Sequence, residues 1–310
     1  MVSSPVSLRE PAPSAPVAPR PRRRTAFVHG DRVSRGWMIV ATVIMAIAAI
    51  YFLAPVAWLV IASTKSTGDL FSTPGFAFAE FNLFENLYDL STYQGGIFWR
   101  WGLNSIIYSV IGSALTTMVC AITGYALAVY RFRGRSALIS VVLASLLVPG
   151  TVIAQPTYVL LVTLGLDNTY AGLLLPALVY PFGVLLCFIF AQSSVPMELV
   201  EAARLDGAGE LRIFVAIGLR LLASGLVTVL LFAFLGSWNS YILPLLVLTD
   251  SELMPLTVGL TGWNQASITI PGLQILTVVG SLVSIIPIAI VFLSLQRFWK
   301  AGLTAGSVRG

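Results

Sequence analysis

Few of the 310 residues are suited to bond-making chemistry, and their placement narrows the field further. Histidine occurs once, at His29, in a polar stretch, so imidazole proton transfer and histidine metal sites have almost no raw material. Cys120 and Cys187 both lie within apolar runs, where a thiol behaves as a small hydrophobe rather than a bridge or a ligand. No GxxxxGK[ST] loop is present, so the chain does not bind ATP in the P-loop manner itself. These residues predict a protein that is not an enzyme and that binds neither metal nor cofactor. What stands out instead is EAARLDGAGE, Glu201 to Glu210. It holds four charges in ten residues, in a chain that is 10% charged and 57% hydrophobic.

The residues around this stretch read as helix, sharp turn and helix. Pro196 suits a first helical turn, and Glu198 and Glu201 lie near that turn, where the helix dipole favours anions. Ala202 and Ala203 are small enough to let a partner surface approach closely. Gly207 is suited to the left-handed conformation that ends a helix, and Asp206 or Gly209 to the start of the next. On chemistry alone a solvated loop would look similar.

The elements that hold this insert are apolar. A mean hydropathy of +0.90 over this length exceeds what a soluble core hides, so the second solvent is lipid. Six segments are long enough to cross a core of roughly 30 Å as helices. They run from Trp37 to Ser63, Trp101 to Tyr130, Ala137 to Thr163, Tyr170 to Gln192, Leu219 to Leu246 and Leu273 to Leu295. In the fifth, GSWNSYILP is a place for the helix to end and a re-entrant or interfacial piece to begin. Pro149, Pro156, Pro176, Pro181 and Pro287 are expected to kink their helices. Residues 1–36, rich in proline and arginine, lack an apolar run and read as a disordered tail, with the first span retained rather than cleaved. The domain that folds is expected over 37–310.

Placing the N-terminus inside puts sixteen of the eighteen Lys and Arg residues on one side, leaving Lys65 and Arg100 outside. Both termini, the RFRGR loop (Arg131 to Arg135), the insert and the tail at about 297–310 are then cytoplasmic. The same positions, flanking apolar runs, read as topology signals and not as a nucleic-acid surface. The outer segments carry Asp69, Glu80, Glu85, Asp89, Asp167, Asp250 and Glu252, and the long connection from Ser66 to Arg100 is expected to pack on the outer face. No ionisable residue falls clearly inside a span, Arg220 sitting at a cytoplasmic end. That silence argues against ion-gradient coupling, so uphill transport would need energy from another subunit. A secondary transporter or facilitator working without an ATPase stands as the alternative on these residues.

At the insert the residues resemble a known family, the inner-membrane permease subunits of binding-protein-dependent carbohydrate ABC importers of the maltose-transporter kind. Its signature has the form EAAxxDGA, followed by IxLP. Glu201, Ala202, Ala203, Asp206, Gly207, Ala208, Ile217 and Leu219 match, while Arg220 and Ser224 stand where the family has prolines. NSIIYSV at Asn104, GYALAVYRFRG at Gly124, LVPGTVIAQPTYVLL at Leu147, GLDNTYAGLLLP at Gly165, FLGSWNSYILPLLVLTD at Phe234 and the closing LQRFWKAGLTAGSVRG extend the resemblance in order.

The resemblance implies an all-α, six-span type I ABC importer permease fold in a bacterial-type cell membrane. It implies coupling helices at about 194–215, which are moved by two cytoplasmic ATPase subunits using ATP and Mg. It also implies a second permease, making a heterodimer, and an extracytoplasmic solute-binding protein. The cargo it implies is a sugar, oligosaccharide or polyol-like solute. The closing KAGLTAGSVRG either reaches the ATPase subunits or frays. Trp238 and Asn239 suit sugar CH faces and hydroxyls, although an interfacial aromatic belt explains Trp238 equally. Asn104, Gln155 and Tyr158 fit either a translocation path or hydrogen bonds between helices.

Overall fold

The computed structural model describes residues 35–307; the proline- and arginine-rich tail expected over 1–36 lies outside them except for Arg35 and Gly36, as do His29 and residues 308–310. The chain divides into two units after Phe52. The first holds the opening of helix α1 (Arg35–Ser63), a continuous apolar run whose side chains from Trp37 to Phe52 are exposed apart from a half-buried Ala48.

The second unit, from Leu53 onward, is built of helices and loops, with no strand among its described residues. After α1 come α2 (Thr67–Ser72), α3 (Leu83–Thr92), α4 (Ile97–Val129), α5 (Arg135–Ser145), α6 (Gly150–Thr163), α7 (Tyr170–Ala177) and α8 (Pro181–Ser194). Two short helices, α9 (Met197–Leu205) and α10 (Glu210–Ile213), precede a π-helical turn over Phe214–Gly218. The chain closes with α11 (Leu219–Trp238), α12 (Ile242–Val247), α13 (Leu256–Ala266) and α14 (Leu273–Ser307).

Helix α4 is the axis of this unit. Its 33 residues contain no proline and reach about 50 Å, well past the hydrocarbon thickness. Its buried positions include Ser105, Ser109, Gly112, Ser113, Thr116, Cys120, Ala121 and Gly124, small residues that let α8 and α11 lie against it. A Cβ on Gly124 would stand 2.5 Å from the Cys187 Cβ and 2.7 Å from the Phe188 backbone nitrogen, so glycine sets the α4–α8 separation.

Four of the six expected spans are single helices or continuous helical runs, and two are broken. The expected third span splits into α5 and α6, whose axes diverge by 106°. Pro149 lacks an N–H and pushes its neighbour out of the helical region, so the chain turns there and α6 starts at Gly150. The expected fourth span bends by 40° between α7 and α8, ahead of Pro181. Pro181 has no N–H for the Ala177 carbonyl four residues earlier; the Thr116 hydroxyl of α4 donates to it instead at 2.9 Å. Pro156, Pro176 and Pro287 lie inside helices. The fifth span stops at Trp238, short of the expected Leu246, and the GSWNSYILP residues form a break followed by α12. The sixth continues past Leu295 as helix to Ser307, where a separate tail was expected.

The connection from Ser66 to Arg100 folds against the Ile97 end of α4. Leu90 of α3 joins a cluster with Phe98, Trp101, Trp238, Leu256 and Trp263. Lys65, fully buried, donates from Nζ to the Thr73 hydroxyl at 2.8 Å and the Pro74 carbonyl at 2.9 Å, and Asn86 donates to the carbonyls of Ser63 and Lys65.

Thr116→Val keeps the shape of the side chain and removes the donor to the Ala177 carbonyl. It is expected to lower stability by about 1 kcal/mol, and Thr116→Ser to leave it nearly unchanged, as read by thermal unfolding in detergent.

Candidate functional site

The insert packs on the opposite end of α4. Met197 to Leu205 form a helix because the run has neither glycine nor a β-branched cluster, with Glu198 in its first turn and Arg204 in its last. The helix stops as Gly207 takes φ +79°, a conformation only glycine adopts without cost, and Gly209 in extended backbone caps α10. Val200 and Ile213 point inward and are buried against Tyr125, Val129, Ala191, Val195 and Leu222. This pins α9 and α10 to the ends of α4, α8 and α11.

The signature residues divide into two sets. Glu201, Ala202, Asp206 and Gly207 are exposed, and no ion pair involves Glu201 or Asp206 among the described residues. Ala203, Ala208 and Ile217 pack partly against the buried cluster, and Leu219 opens α11 half-buried. Ala203, Asp206, Ala208 and Ile217, with Arg212 and Ile213, line a cleft of about 300 Å³ between the two short helices. Arg220 and Ser224 lie within an unbroken α11, and the irregularity at its entry is the π turn over Phe214–Gly218. A Cβ on Gly218 would stand 2.8 Å from the Tyr125 ring, so that ring closes over the turn.

Sequence reasoning missed four features of the insert. Leu205 and Leu211 are 89% and 77% exposed on either side of the glycine turn, apolar surface offered to a partner. Arg204 donates from Nε to Glu210 Oε1 at 2.7 Å and from Nη2 to Oε2 at 3.2 Å. The Tyr130 hydroxyl, at the end of α4, donates to Glu210 Oε2 at 2.7 Å, and the Arg204 guanidinium lies 5.9 Å from the Tyr130 ring centre. Burial first and the bond to Glu210 second push the Tyr130 phenol up to about 12, so it remains a donor at neutral pH. The exposed leucines had a sequence signal, since they are out of place in a polar insert. The Glu210 contacts had none, because the glycine turn brings together residues from three elements.

The residues predicted to line a path are not gathered into one cavity. Asn104 is fully buried: its Nδ2 donates to the carbonyls of Glu252 at 2.6 Å and Met254 at 3.0 Å, and its Oδ1 accepts from Tyr170 at 2.7 Å. Trp238, 4% exposed, stacks on Phe234 within the core. Both are therefore packing and hydrogen-bonding groups with no face open to a solute in this arrangement. Tyr158 is half-buried beside Tyr108 and Leu161. Asn239 is exposed, its amide donating to the Leu235 carbonyl. Gln155 is exposed on α6 and makes no hydrogen bond among the described residues. A cavity of about 420 Å³ does run beside α4, walled by Tyr108, Thr116, Tyr180, Ser237 and Ser240; Asn104, Gln155, Tyr158, Trp238 and Asn239 do not line it.

Helices long and apolar enough to cross a bilayer, in straight and bent runs, carry an exposed helix-turn-helix at one end. The chain belongs to the family of binding-protein-dependent transport system inner membrane components, which matches residues 24–301. It is similar to the arabinooligosaccharides transport system permease protein AraQ of Halalkalibacterium halodurans, 37% identical over 222 residues that cover 70% of this chain and 76% of the relative. The diacetylchitobiose uptake system permease protein NgcG of Streptomyces coelicolor is 30% identical over 84% of this chain and 85% of its own length. A crystal structure of a bacterial ABC transporter involved in import of the acidic polysaccharide alginate shares the fold. Its TM-score is 0.74 at 24% identity, over 86% of this chain and 97% of that one. The protein is thus a non-catalytic permease subunit, an inner-membrane protein of the type I importer fold. Membership of this family favours that role over the stand-alone facilitator. Among the described residues no three of His, Cys, Asp and Glu gather as a metal site.

Two substitutions separate buried from exposed polar groups. Asn104→Ala takes the amide from the Met254 carbonyl and the Tyr170 hydroxyl, and leaves the Glu252 carbonyl with Arg100 alone, and is expected to cost about 2 kcal/mol. Gln155→Ala is expected to stay within about 0.5 kcal/mol, both being read by thermal unfolding in detergent.

Proposed function

We propose that this chain is one half of the transmembrane pair of an ATP-driven carbohydrate importer, and that Glu201–Ala208 is where the ATPase subunits grip it. One observation carries the reading. The exposed positions lie on α9 and its turn, and the insert is anchored through Val200 of α9 and Ile213 of α10 in the core at the end of α4. A soluble partner that displaces the insert therefore displaces the bundle, a two-state element biased through differential contacts.

The remaining subunits follow from that role. Two cytoplasmic ATPase subunits supply ATP and Mg chemistry, a second related permease completes a heterodimer, and an extracytoplasmic binding protein delivers the solute. The insert and both termini face the cytoplasm, an orientation supported by the Lys and Arg distribution. The cargo is a carbohydrate, a class supported by relatives whose names specify arabinooligosaccharides and diacetylchitobiose. On the solute path we place Gln155 and Asn239, whose exposed amides would be costly in lipid and suit a hydrated path or a facing subunit, with Tyr158 beside them. Asn104 and Trp238 shape that path from behind.

Gly207→Pro demands φ near −65° where the turn has +79°, and Glu201→Lys reverses the charge on the exposed face of α9. Each is expected to leave membrane abundance normal and to reduce ATP-coupled solute uptake to background. Normal uptake by either variant at normal abundance would refute the coupling role.

A further inference from the structure

The insert touches the bundle through apolar contacts and through one polar group that meets three elements at once. Glu210, at the start of α10, receives the forked donors of Arg204 from α9 on both oxygens and the Tyr130 hydroxyl from the end of α4 on Oε2. The Arg204 guanidinium also lies over the Tyr130 ring. Both members of the ion pair are substantially exposed, so the pair adds little to stability in water. Its geometry is the informative part. The apolar anchors Val200 and Ile213 hold the insert down, and backbone bonds from Asp206 to the Ala202 carbonyl and from Ala208 to the Ala203 carbonyl close the turn between α9 and α10. A fork fixes orientation as well as distance; here it sets α9 against α10, and the Tyr130 hydroxyl ties that pair to the end of α4.

The far end of α4 is stitched with equal density to another segment. Trp101 Nε1 donates to the Ser251 carbonyl, Asn104 to the carbonyls of Glu252 and Met254, and Tyr108 to the Leu253 carbonyl, while the Ser105 hydroxyl accepts from the Leu256 N–H. Helix α4 therefore links the insert rigidly to Ser251–Leu256 at the other end of the bundle. We propose that Glu210 is the positioning residue of this linkage: it locks α9, α10 and α4 into one body, so that displacement of the insert reaches Ser251–Leu256 instead of being absorbed as rotation of α9. The proposal rests on the coupling role proposed above. Its acceptor lies outside the EAA-type signature.

The test uses the complex purified from native membranes into lipid nanodiscs, with hydrogen–deuterium exchange recorded with and without Mg-ATP. In the unsubstituted complex, nucleotide is expected to alter exchange in both Met197–Ile213 and Ser251–Leu256. In Glu210→Gln, and independently in Tyr130→Phe, the ATPase subunits are expected to remain bound and the insert to respond as before. The response at Ser251–Leu256 is expected to fall by about threefold to tenfold. A full response at Ser251–Leu256 in both variants overturns the assignment of Glu210 and leaves the coupling role standing. An unsubstituted complex whose insert ignores nucleotide, or that holds no ATPase, overturns the coupling role and this proposal with it.

Discussion

In a bilayer two helices gain little by burying leucine against leucine, because lipid tails offer the same contact, so association depends on close approach and on polar groups that lipid cannot satisfy. Helix α4 meets both demands, and the rest of the second unit is arranged around it. Gly124 admits α8 to backbone distance. Hydroxyls along the same helix reach carbonyls on its neighbours, as Ser237 does in return to the Tyr108 carbonyl. The bend before Pro181 persists because Thr116 satisfies a carbonyl that would otherwise face an apolar interior.

The two ends of α4 are built differently. At the Ile97 end a broad apolar cluster containing three tryptophans covers the Ser251–Leu256 turn, whose carbonyls are taken by α4 side chains. At the Val129 end the chain leaves the apolar phase, and an exposed insert is held by two buried side chains and one forked ion pair. The broken α5–α6 pair stands apart, with most of its apolar side chains exposed within this chain and Gln155 among them. Such a surface suits lipid at its apolar positions and a facing subunit or hydrated path at its amide.

Several elements were legible before any coordinates, for stated reasons. The apolar runs announced their spans because lipid demands about 20 apolar residues per crossing, and α1, α4, α11 and α14 follow them. The helix-turn-helix character of the insert was legible from Pro196 and Gly207, since each residue acts on its own backbone. The bend at Pro149 was legible as a kink but not in its size, because 106° depends on what the two halves pack against. Asn104 and Trp238, read as path candidates, are buried within this chain. A polar or aromatic residue in a span looks the same in sequence whether it faces a solute or a neighbouring helix.

By itself, then, the sequence determined the apolar runs suited to lipid, the one-sided bias of positive charge across them and the matched signature, all of which are local or compositional properties. Only the tertiary structure decided that Ile217 and Ala203 pack inward while Glu201 and Asp206 face out, and that Thr116 serves Ala177. It also decided that Arg204, Glu210 and Tyr130 meet. Those outcomes depend on which faces of separate helices are pressed together, and contacts across 61 or 80 residues of chain leave no periodic trace in the sequence.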